Sequence, residues 1–410
     1  MKLISLLFFC AVICFGSCRP AGEPSGVQEP PPIHNPEEAL SREDTVFPAP
    51  SSPAKELLLT FAGDIMAHQV NFRMENYDFM YDNVREFLNA DDLTFGNYEA
   101  PVTSSLPYQT YPNFNTQGPY ARAVIDAGFD VFSLVNNHTN DQGKQGIRET
   151  REWFEVQRFQ EVYSAGIKTE SNGPLAYQII EEKGWKILFV AVTEILNAFN
   201  SKELLDYIPP TEKARESFAA ELTRLRAENP CDLFIVSVHV HEPEYTDIIR
   251  EARRTYFYSL LDSGADIIWA HHPHVMHDWE VITDEGQSFE EGSSSELPSS
   301  GEYLGRKLIM YSMGNFISGQ RFTRNLENPG APREYTGDSI LLRVRLEKDD
   351  QARITEIVPV PLTVTVDPQG KLQLHYFTAE FIESLKEPLA GYYTKRLELM
   401  QKYKGNTICR

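Results

Sequence analysis

Six short apolar runs in the sequence are each followed by side chains of the kinds that bind metal ions. The groups are Gly63-Asp64, Asn97 with Glu99, Asn136-Asn137-His138, His239 with His241, His272 with His274, and Gly314-Asn315. Carboxylate, amide and imidazole ligands without a thiolate suit Mn²⁺, Fe or Zn²⁺. Two such ions about 3.5–4 Å apart bind both the attacking and the leaving oxygen when a phosphate ester is hydrolysed. The residue types therefore predict a two-metal hydrolytic site, with His138 as the candidate to protonate the leaving group.

Each of these groups, taken alone, has an ordinary structural explanation. An Asp after a strand often caps a turn or helix, and Asn-Asn-His can form a turn with Asp141 capping the next helix. A single buried His is usually a hydrogen-bonded core residue. Seven of the ten His nevertheless fall at strand ends or shortly after Asp64, so a structural explanation would have to account for each of them separately. The metal site is therefore the favoured prediction.

The elements that must position these groups alternate between β-strands and helices. The predicted strands are Leu57–Phe61, Leu93–Phe95, Val131–Val135, Lys186–Val192, Leu233–Val238, Ile267–Trp269, Leu308–Tyr311 and Ser339–Leu346. The predicted helices are Phe79–Leu88, Tyr120–Ala127, Lys144–Phe159, Lys213–Glu228, Asp247–Asp262 and Tyr392–Tyr403. Alternation of this kind predicts an α/β fold with helices on the faces of a central sheet. Sites in such folds form at the carboxyl ends of the strands, so the polar groups should converge in space.

The N-terminus has the pattern of an export signal. Lys2 precedes a short apolar run that is followed by small residues and Cys18, which predicts a signal peptide over residues 1–17. Phe15-Gly16-Ser17-Cys18 is similar to a bacterial lipobox, in which Cys18 is the acylated first residue of the mature protein. The alternative is an ordinary cleaved signal peptide, and both interpretations export the protein. The lipobox predicts an extracytoplasmic lipoprotein attached to the membrane through its lipid.

The remaining sequence divides into a tether, a domain and an extension. Residues 18–54 are rich in Pro, Ser and Glu and predict a disordered tether, followed by the main domain over residues 55–365. The Ser- and Glu-rich residues 285–303 predict a mobile insertion, and residues 366–410 a C-terminal extension packed on the domain.

Composition and charge limit the possible partners. A net charge of −21 argues against nucleic acid, since contacts to a phosphate backbone need clustered Lys and Arg. Hydrophobic residues make up 41% of the chain and charged residues 24%, which is ordinary for a globular protein. Beyond the signal segment only Cys231 and Cys409 remain, too few for a disulfide framework, although one bridge is possible in an oxidising compartment.

Five ordered motifs carry a resemblance to a known family. FAGDIMAH, GNYEAPVT, LVNNHTNDQG, GADIIWAHHPHV and YSMGNFIS follow the order and approximate spacing of the motifs of the CapA family of capsule and poly-γ-glutamate biosynthesis proteins. The resemblance implies a calcineurin-like metallophosphatase sandwich, with two mixed β-sheets flanked by helices in an α/β/β/α arrangement.

The resemblance also implies roles for individual residues. The implied ligand set is Asp64 and His274 for the first of two divalent ions, Asn137, His239 and His272 for the second, and Glu99 as the bridging carboxylate. The N-N-H-x-x-D motif implies that His138 and Asp141 are catalytic, with His138 as the acid or base.

The sequence departs from the family pattern in three places. The H-W-G-x-E-Y motif is one residue longer here, so either His239 or His241 is the ligand, and His239 is favoured because it directly follows a strand. Ala270 replaces the Gly before the last His pair. Met66 stands where ordinary metallophosphatases have a ligand His, and His68 either compensates for that loss or lines the cleft. His68, His241 and Asn315 are thus possible additional site residues.

Two functions follow from these patterns. The first is a metal-dependent hydrolase that acts outside the membrane on a phosphoester or on a polymer amide. The second is a non-catalytic accessory lipoprotein of a membrane synthase complex, which binds, assembles or exports a polymer. For both, the expected partner is an anionic cell-surface polymer or its precursor.

Overall fold

The computed structural model describes residues 55–283 and 305–409 of the chain. Its fifteen described strands are β1 (Lys55–Ile65), β2 (Leu93–Tyr98), β3 (Val131–Ser133), β4 (Tyr163–Ala165), β5 (Tyr177–Glu182), β6 (Trp185–Thr193), β7 (Leu233–His239), β8 (Ile267–His271), β9 (Trp279–Thr283), β10 (Lys307–Met310), β11 (Asn315–Ile317), β12 (Asp338–Lys348), β13 (Ala352–Val366), β14 (Leu372–Tyr376) and β15 (Asn406–Cys409). The signal segment with Cys18, the tether and the insertion over 285–303 lie outside the described residues.

Helices connect many of these strands. The described α-helices are α1 (Gln69–Phe72), α2 (Arg85–Leu88), α3 (Gly118–Asp126), α4 (Gly143–Gln157), α5 (Glu212–Glu228), α6 (Glu251–Asp262), α7 (Ala379–Glu383) and α8 (Leu389–Met400). Short 3-10 helices occupy Asp78–Met80, Arg158–Gln160, Lys202–Leu204 and Pro332–Gly337. Within these residues, no helix combines the length and the apolar character that a membrane crossing requires.

The strands form two mixed sheets. The first has the order β14-β13-β12-β1-β2-β3-β4, with β11 paired to β1, and its strands β1 to β4 are parallel. The second has the order β15-β9-β10-β8-β7-β6-β5, with β6, β7, β8 and β10 parallel. Two mixed sheets flanked by helices confirm the predicted calcineurin-like sandwich.

Alternation along the strands builds two apolar layers. Ile187 and Phe189 of β6 face the layer shared with the first sheet, whereas Leu188 and Val190 face the helices α5 and α6. Between the sheets the Trp269 indole nitrogen donates a hydrogen bond of 2.9 Å to the carbonyl of Ala62. Both faces of the second sheet are therefore buried, which explains its nearly continuous apolar strands.

The predicted elements form, with two differences among the helices. The predicted helix over 79–88 is reduced to a 3-10 turn and α2, because Asn83 donates instead to the carbonyl of Leu374 in β14, at 2.8 Å. The helix expected from Asp247 begins at Glu251, since the preceding residues make contacts of their own, such as Thr246 O with His277 Nε2 at 2.6 Å. Tertiary contacts outweigh helix propensity in both segments.

The C-terminal residues contribute to both sheets. β14 pairs with β13 at one edge of the first sheet, and β15 pairs with β9 at one edge of the second. The polar helix expected over 392–403 is α8, which begins at Leu389. Cys231 is a free thiol.

Candidate metal centre

The polar groups singled out in the sequence converge where the carboxyl ends of the two sheets meet. β1 carries Asp64 and β2 ends just before Glu99, while β7 ends at His239 and β8 leads into His272 and His274. Asp64 is paired in register with Asn97 of β2 and with Asn315 of β11. The site thus combines ligands from both sheets, which residues distant in sequence can do only in this packing.

One cluster is formed by Glu99, His239 and His272, whose ligand atoms all lie within 4.8 Å of one another. His239 Nε2 lies 3.2 Å from His272 Nδ1 and 3.9 Å from Glu99 Oε1. The Asn137 amide oxygen lies 2.9 Å from the same Nε2 atom. Two imidazoles, a carboxylate and an amide oxygen form a donor set that suits a divalent transition ion.

The second cluster is formed by Asp64, Glu99 and His274 under the same distance limit. His274 Nδ1 lies 3.1 Å from Asp64 Oδ2 and 3.0 Å from the side-chain oxygen of Asn315. His274 Nε2 lies 3.8 Å from Glu99 Oε1. Glu99 therefore belongs to both clusters, as a bridging carboxylate would.

The side chain of Glu99 fits a bound cation better than any partner that the protein offers. Its Oε1 atom is buried without a hydrogen-bond partner among the described residues, while Oε2 accepts from Asn97 at 3.2 Å. Burial and the negative charge of Asp64 raise the pKa of Glu99 well above its ordinary value. A buried carboxylate oxygen without a partner is costly, and a metal ion would remove that cost.

The other charged and titratable ligands are also suited to metal binding. Burial alone would raise the pKa of Asp64, but the hydrogen bond and charge of His274 hold it below the ordinary value, so this group is a carboxylate. Burial lowers the pKa of His239 well below its usual range and that of His272 to about 3. Both imidazoles are therefore neutral at pH 7 and have a lone pair for a metal.

Backbone geometry at the ligand turn is unusual. His272 and His274 have positive φ values, 104° and 59°, which are uncommon for residues with a side chain. Strain of this kind persists where the surrounding structure holds it, often at functional sites. Nearby, Asp64 N donates to the carbonyl of Gly314 at 3.0 Å, and a Cβ on Gly63 would overlap that same oxygen. Position 63 thus requires glycine.

His138 lies beside the metal clusters and pairs with Asp141. His138 Nδ1 is 2.7 Å from Asp141 Oδ2, and both side chains are almost fully buried. Asp141 Oδ2 also accepts from the backbone N–H of Phe114 at 2.7 Å, and the Phe114 ring packs edge-on against the imidazole. Burial raises the pKa of Asp141 although His138 opposes that shift. The pairing orients the ring and leaves Nε2 for chemistry, as in a His held by a carboxylate.

The structure separates the alternatives left open by the sequence. His239 is buried in the first cluster, whereas His241 is exposed and its backbone N–H donates to Glu194 at 3.2 Å. His68 is in neither cluster, and its Nδ1 accepts from the backbone N–H of Gly319 at 3.2 Å. His68 also contacts Phe114, so it lines the site and does not replace the ligand that is missing at Met66.

Three residues near the ligands had no role assigned from the sequence. Asn97 donates to Asp64 at 2.8 Å and to Glu99, which orients both carboxylates. His271 Nδ1 lies 3.5 Å from Asp64, with its other nitrogen 3.1 Å from the Ser237 hydroxyl. Asn197 lies 3.3 Å from His138 Nδ1. Asn97 and His271 stand next to motif residues, which was a signal, whereas nothing in the sequence around Asn197 indicates its position.

Comparisons with known proteins agree with this site. Residues 58–320 match the profile of the family described as bacterial capsule synthesis protein PGA_cap. The capsule biosynthesis protein CapA of Bacillus anthracis is 27% identical over 334 residues, covering 78% of this chain and 71% of that protein. The PGA biosynthesis protein CapA of Bacillus subtilis (strain 168) is 26% identical over 313 residues, covering 75% and 72%.

A hypothetical protein from Thermus thermophilus is similar in structure at 16% identity, with coverage of 74% of this chain and 98% of that one; its TM-score of 0.40 is too low to support an inference. The profile match covers more than half of the chain and contains every ligand of both clusters. The chain therefore belongs to the PGA_cap family of bacterial capsule synthesis proteins, the CapA family whose motifs its sequence carries.

Proposed function

We propose that the chain is an exported, metal-dependent hydrolase that acts on a phosphoester or a polymer amide during the synthesis of a capsule or poly-γ-glutamate. The observation that carries this proposal is the pair of buried clusters sharing Glu99, whose Oε1 atom has no hydrogen-bond partner among the described residues. The names of the two Bacillus relatives, which refer to capsule and PGA biosynthesis, support the polymer context.

The chemistry follows from the donor set. Two divalent ions, Mn²⁺, Fe or Zn²⁺, would supply Lewis acidity toward a phosphoryl or carbonyl oxygen. In the proposal, Asp64 and His274 hold the first ion, Asn137, His239 and His272 hold the second, and Glu99 binds both. Asn97 keeps the two carboxylates in place, because its amide donates to each of them.

His138 is the proposed proton donor to the leaving group. Its Nδ1 atom is occupied by Asp141 at 2.7 Å, so Nε2 is the nitrogen that can exchange a proton with a substrate. Asp141 favours the protonated imidazole and fixes its orientation, and it therefore acts as a positioning residue. Phe114 packs against the ring and limits its rotation.

The hydrolase proposal is tested by measuring metal content and turnover on one sample. The purified chain would be analysed by mass spectrometry for bound metals and assayed with a chromogenic phosphodiester after addition of Mn²⁺. We expect two metal equivalents, with turnover lost in Asp64→Ala. His138→Ala should keep the metals and lose turnover. Metal-free protein would overturn the site, and turnover unchanged in His138→Ala would overturn the role of that residue.

An accessory function is the second candidate, and the burial of the site favours it. None of the six proposed ligands is more than 3% exposed, which leaves little room for a substrate. The proposed accessory protein is anchored through Cys18 and binds an anionic polymer or its precursor for a membrane synthase complex. Metal-free ligand variants that still support polymer export in cells would favour this function. Loss of export in folded ligand variants would count against it.

A further inference from the structure

An open groove of about 520 Å³ lies beside the metal centre and has no role in the chemistry described above. One wall is α1 with the residues that follow it, including Val70, Arg73 and Met74. The opposite side is formed by Phe322 and the turn that contains Lys371. The floor is apolar and the two walls carry cations.

The groove is directly connected to the site through His68. Gln69, the next residue in the chain, lines the groove, and consecutive Cα atoms are about 3.8 Å apart. On the other side, Gly319 donates to His68 Nδ1 at 3.2 Å, and Phe322 N donates to the carbonyl of Gly319 at 3.1 Å. His68 and His138 contact the same ring, that of Phe114, at centroid distances of 5.1 and 4.6 Å.

The cations of the groove are available to an anion. Arg73 and Lys371 are both exposed, and neither forms an ion pair within 4 Å among the described residues. The Arg73 guanidinium instead lies at hydrogen-bond distance from the neutral amide of Gln69. Glu75 also lines the groove, so the lining carries two cations and one anion. That balance is positive in a chain whose net charge is −21.

We propose that this groove binds a polycarboxylate chain of the poly-γ-glutamate type, with Arg73 and Lys371 contacting its carboxylates and Phe322 packing on its methylene groups. The inference rests on the proposed function for the identity of the polymer. Phe322 is 41% exposed, and an apolar ring between two cations matches a chain that alternates methylene groups with carboxylates. The groove extends the site along the polymer and leaves the reacting bond at the metals.

The test is an equilibrium binding measurement on the full chain with a fluorescent poly-γ-glutamate oligomer at fixed ionic strength. The double variant Arg73→Gln with Lys371→Gln should bind about tenfold more weakly, since each exposed ion pair contributes up to about 1 kcal/mol. The control is Arg148→Gln with Lys213→Gln, which removes two exposed cations that are not part of the groove lining. The control should bind as the unmodified protein does.

Three outcomes would overturn the groove: no binding of the oligomer, equal losses in both double variants, or tighter binding of a polyphosphate of equal charge that is lost in the same variant. The groove variant should also keep the turnover of a small chromogenic diester, because the groove lies outside the metal clusters. Binding without any hydrolysis would reject the hydrolase and leave the groove supported. Hydrolysis of the small diester without polymer binding would do the reverse.

Discussion

Glu99 is the residue on which the metal centre depends most. It is fully buried, belongs to both clusters and has a pKa raised by burial and by Asp64. The remaining ligands each belong to one cluster. Replacement of Glu99 should therefore affect both ions, while replacement of His239 should affect one.

We expect Glu99→Gln to lose both metal ions and His239→Ala to lose mainly one, because only the former removes the shared carboxylate. The measurement is metal content by mass spectrometry after dialysis against a weak chelator. His241→Ala is the matched control, since its side chain is exposed outside both clusters. Equal metal loss in the Glu99 and His239 variants would contradict the bridging position.

Asp141 gives a second prediction at this scale. Asp141→Asn removes the negative charge beside His138 Nδ1 but keeps the size of the side chain. We expect turnover to fall about 10- to 100-fold with unchanged metal content. The alkaline limb of the pH–rate profile should move to lower pH, since the carboxylate no longer stabilises the protonated imidazole. A proportional loss at every pH would indicate a purely structural role.

At the scale of elements, the close approach of β1 to the segment before β11 positions Asp64 beside Asn315. Gly63→Ala would place a methyl group on the carbonyl oxygen of Gly314, which also accepts from Asp64 N. We expect a loss of about 1–3 kcal/mol in unfolding free energy and weaker metal binding, because the backbone must shift. Chemical denaturation and metal titration measure the two effects. Gly330→Ala, at an exposed turn where a Cβ fits, is a control for backbone stiffening; normal metal affinity in Gly63→Ala would contradict the prediction.

α8 is held to β12 by buried charges. The Arg396 guanidinium donates to Asp338 Oδ2 at 2.6 and 2.8 Å, while Arg321 donates to the other oxygen at 2.6 Å. Arg396→Ala leaves that carboxylate partly unpaired in the interior, which should cost about 3–5 kcal/mol of unfolding free energy. Lys395→Ala is the matched control on the same helix, because Lys395 is exposed and should change stability by less than about 1 kcal/mol. Similar losses in both variants would show that the ion cluster is not the cause.

For the whole molecule, buried acids should make stability depend on pH. Burial raises the pKa of Asp130 and of Asp206 from 3.8 to about 7. The folded state then holds these protons more tightly than the unfolded state does, so the contribution is fully present below about pH 4 and is lost as pH rises through 7. The upper bound is about 4 kcal/mol for each group, at 1.36 kcal/mol per pKa unit.

We therefore expect the unfolding free energy to decrease between pH 4 and pH 7, as measured by denaturant titrations at several pH values. Asp206→Asn keeps an acceptor for the backbone N–H of Ala176 and removes the charge, so it should flatten part of this slope. Asp350→Asn, exposed in the bend between β12 and β13, should leave the slope unchanged. A stability that rises over the same range in the unmodified chain would contradict the assignment of these two acids.

The sequence by itself determined much of this protein. Apolar runs ending in Asp64, Glu99, His239 and His272 predicted the strands and the edge at which they meet, because strand patterning is local and parallel strands share a carboxyl edge. The ordered motifs predicted the family, which the profile match confirmed. The ligand roles and the export signal remain predictions.

Only the tertiary structure decided which side chains face one another. The position of His239 inside the site and of His241 outside it depends on how the loop after β7 is held by Glu194. The approach of Asn197 to His138 and the break in the helix expected over 79–88 likewise come from contacts between residues far apart in sequence. The groove also depends on two segments, around Arg73 and Lys371, separated by most of the domain. Local sequence preferences contain no information on such non-local packing, which determines side-chain orientation once the strands are in place.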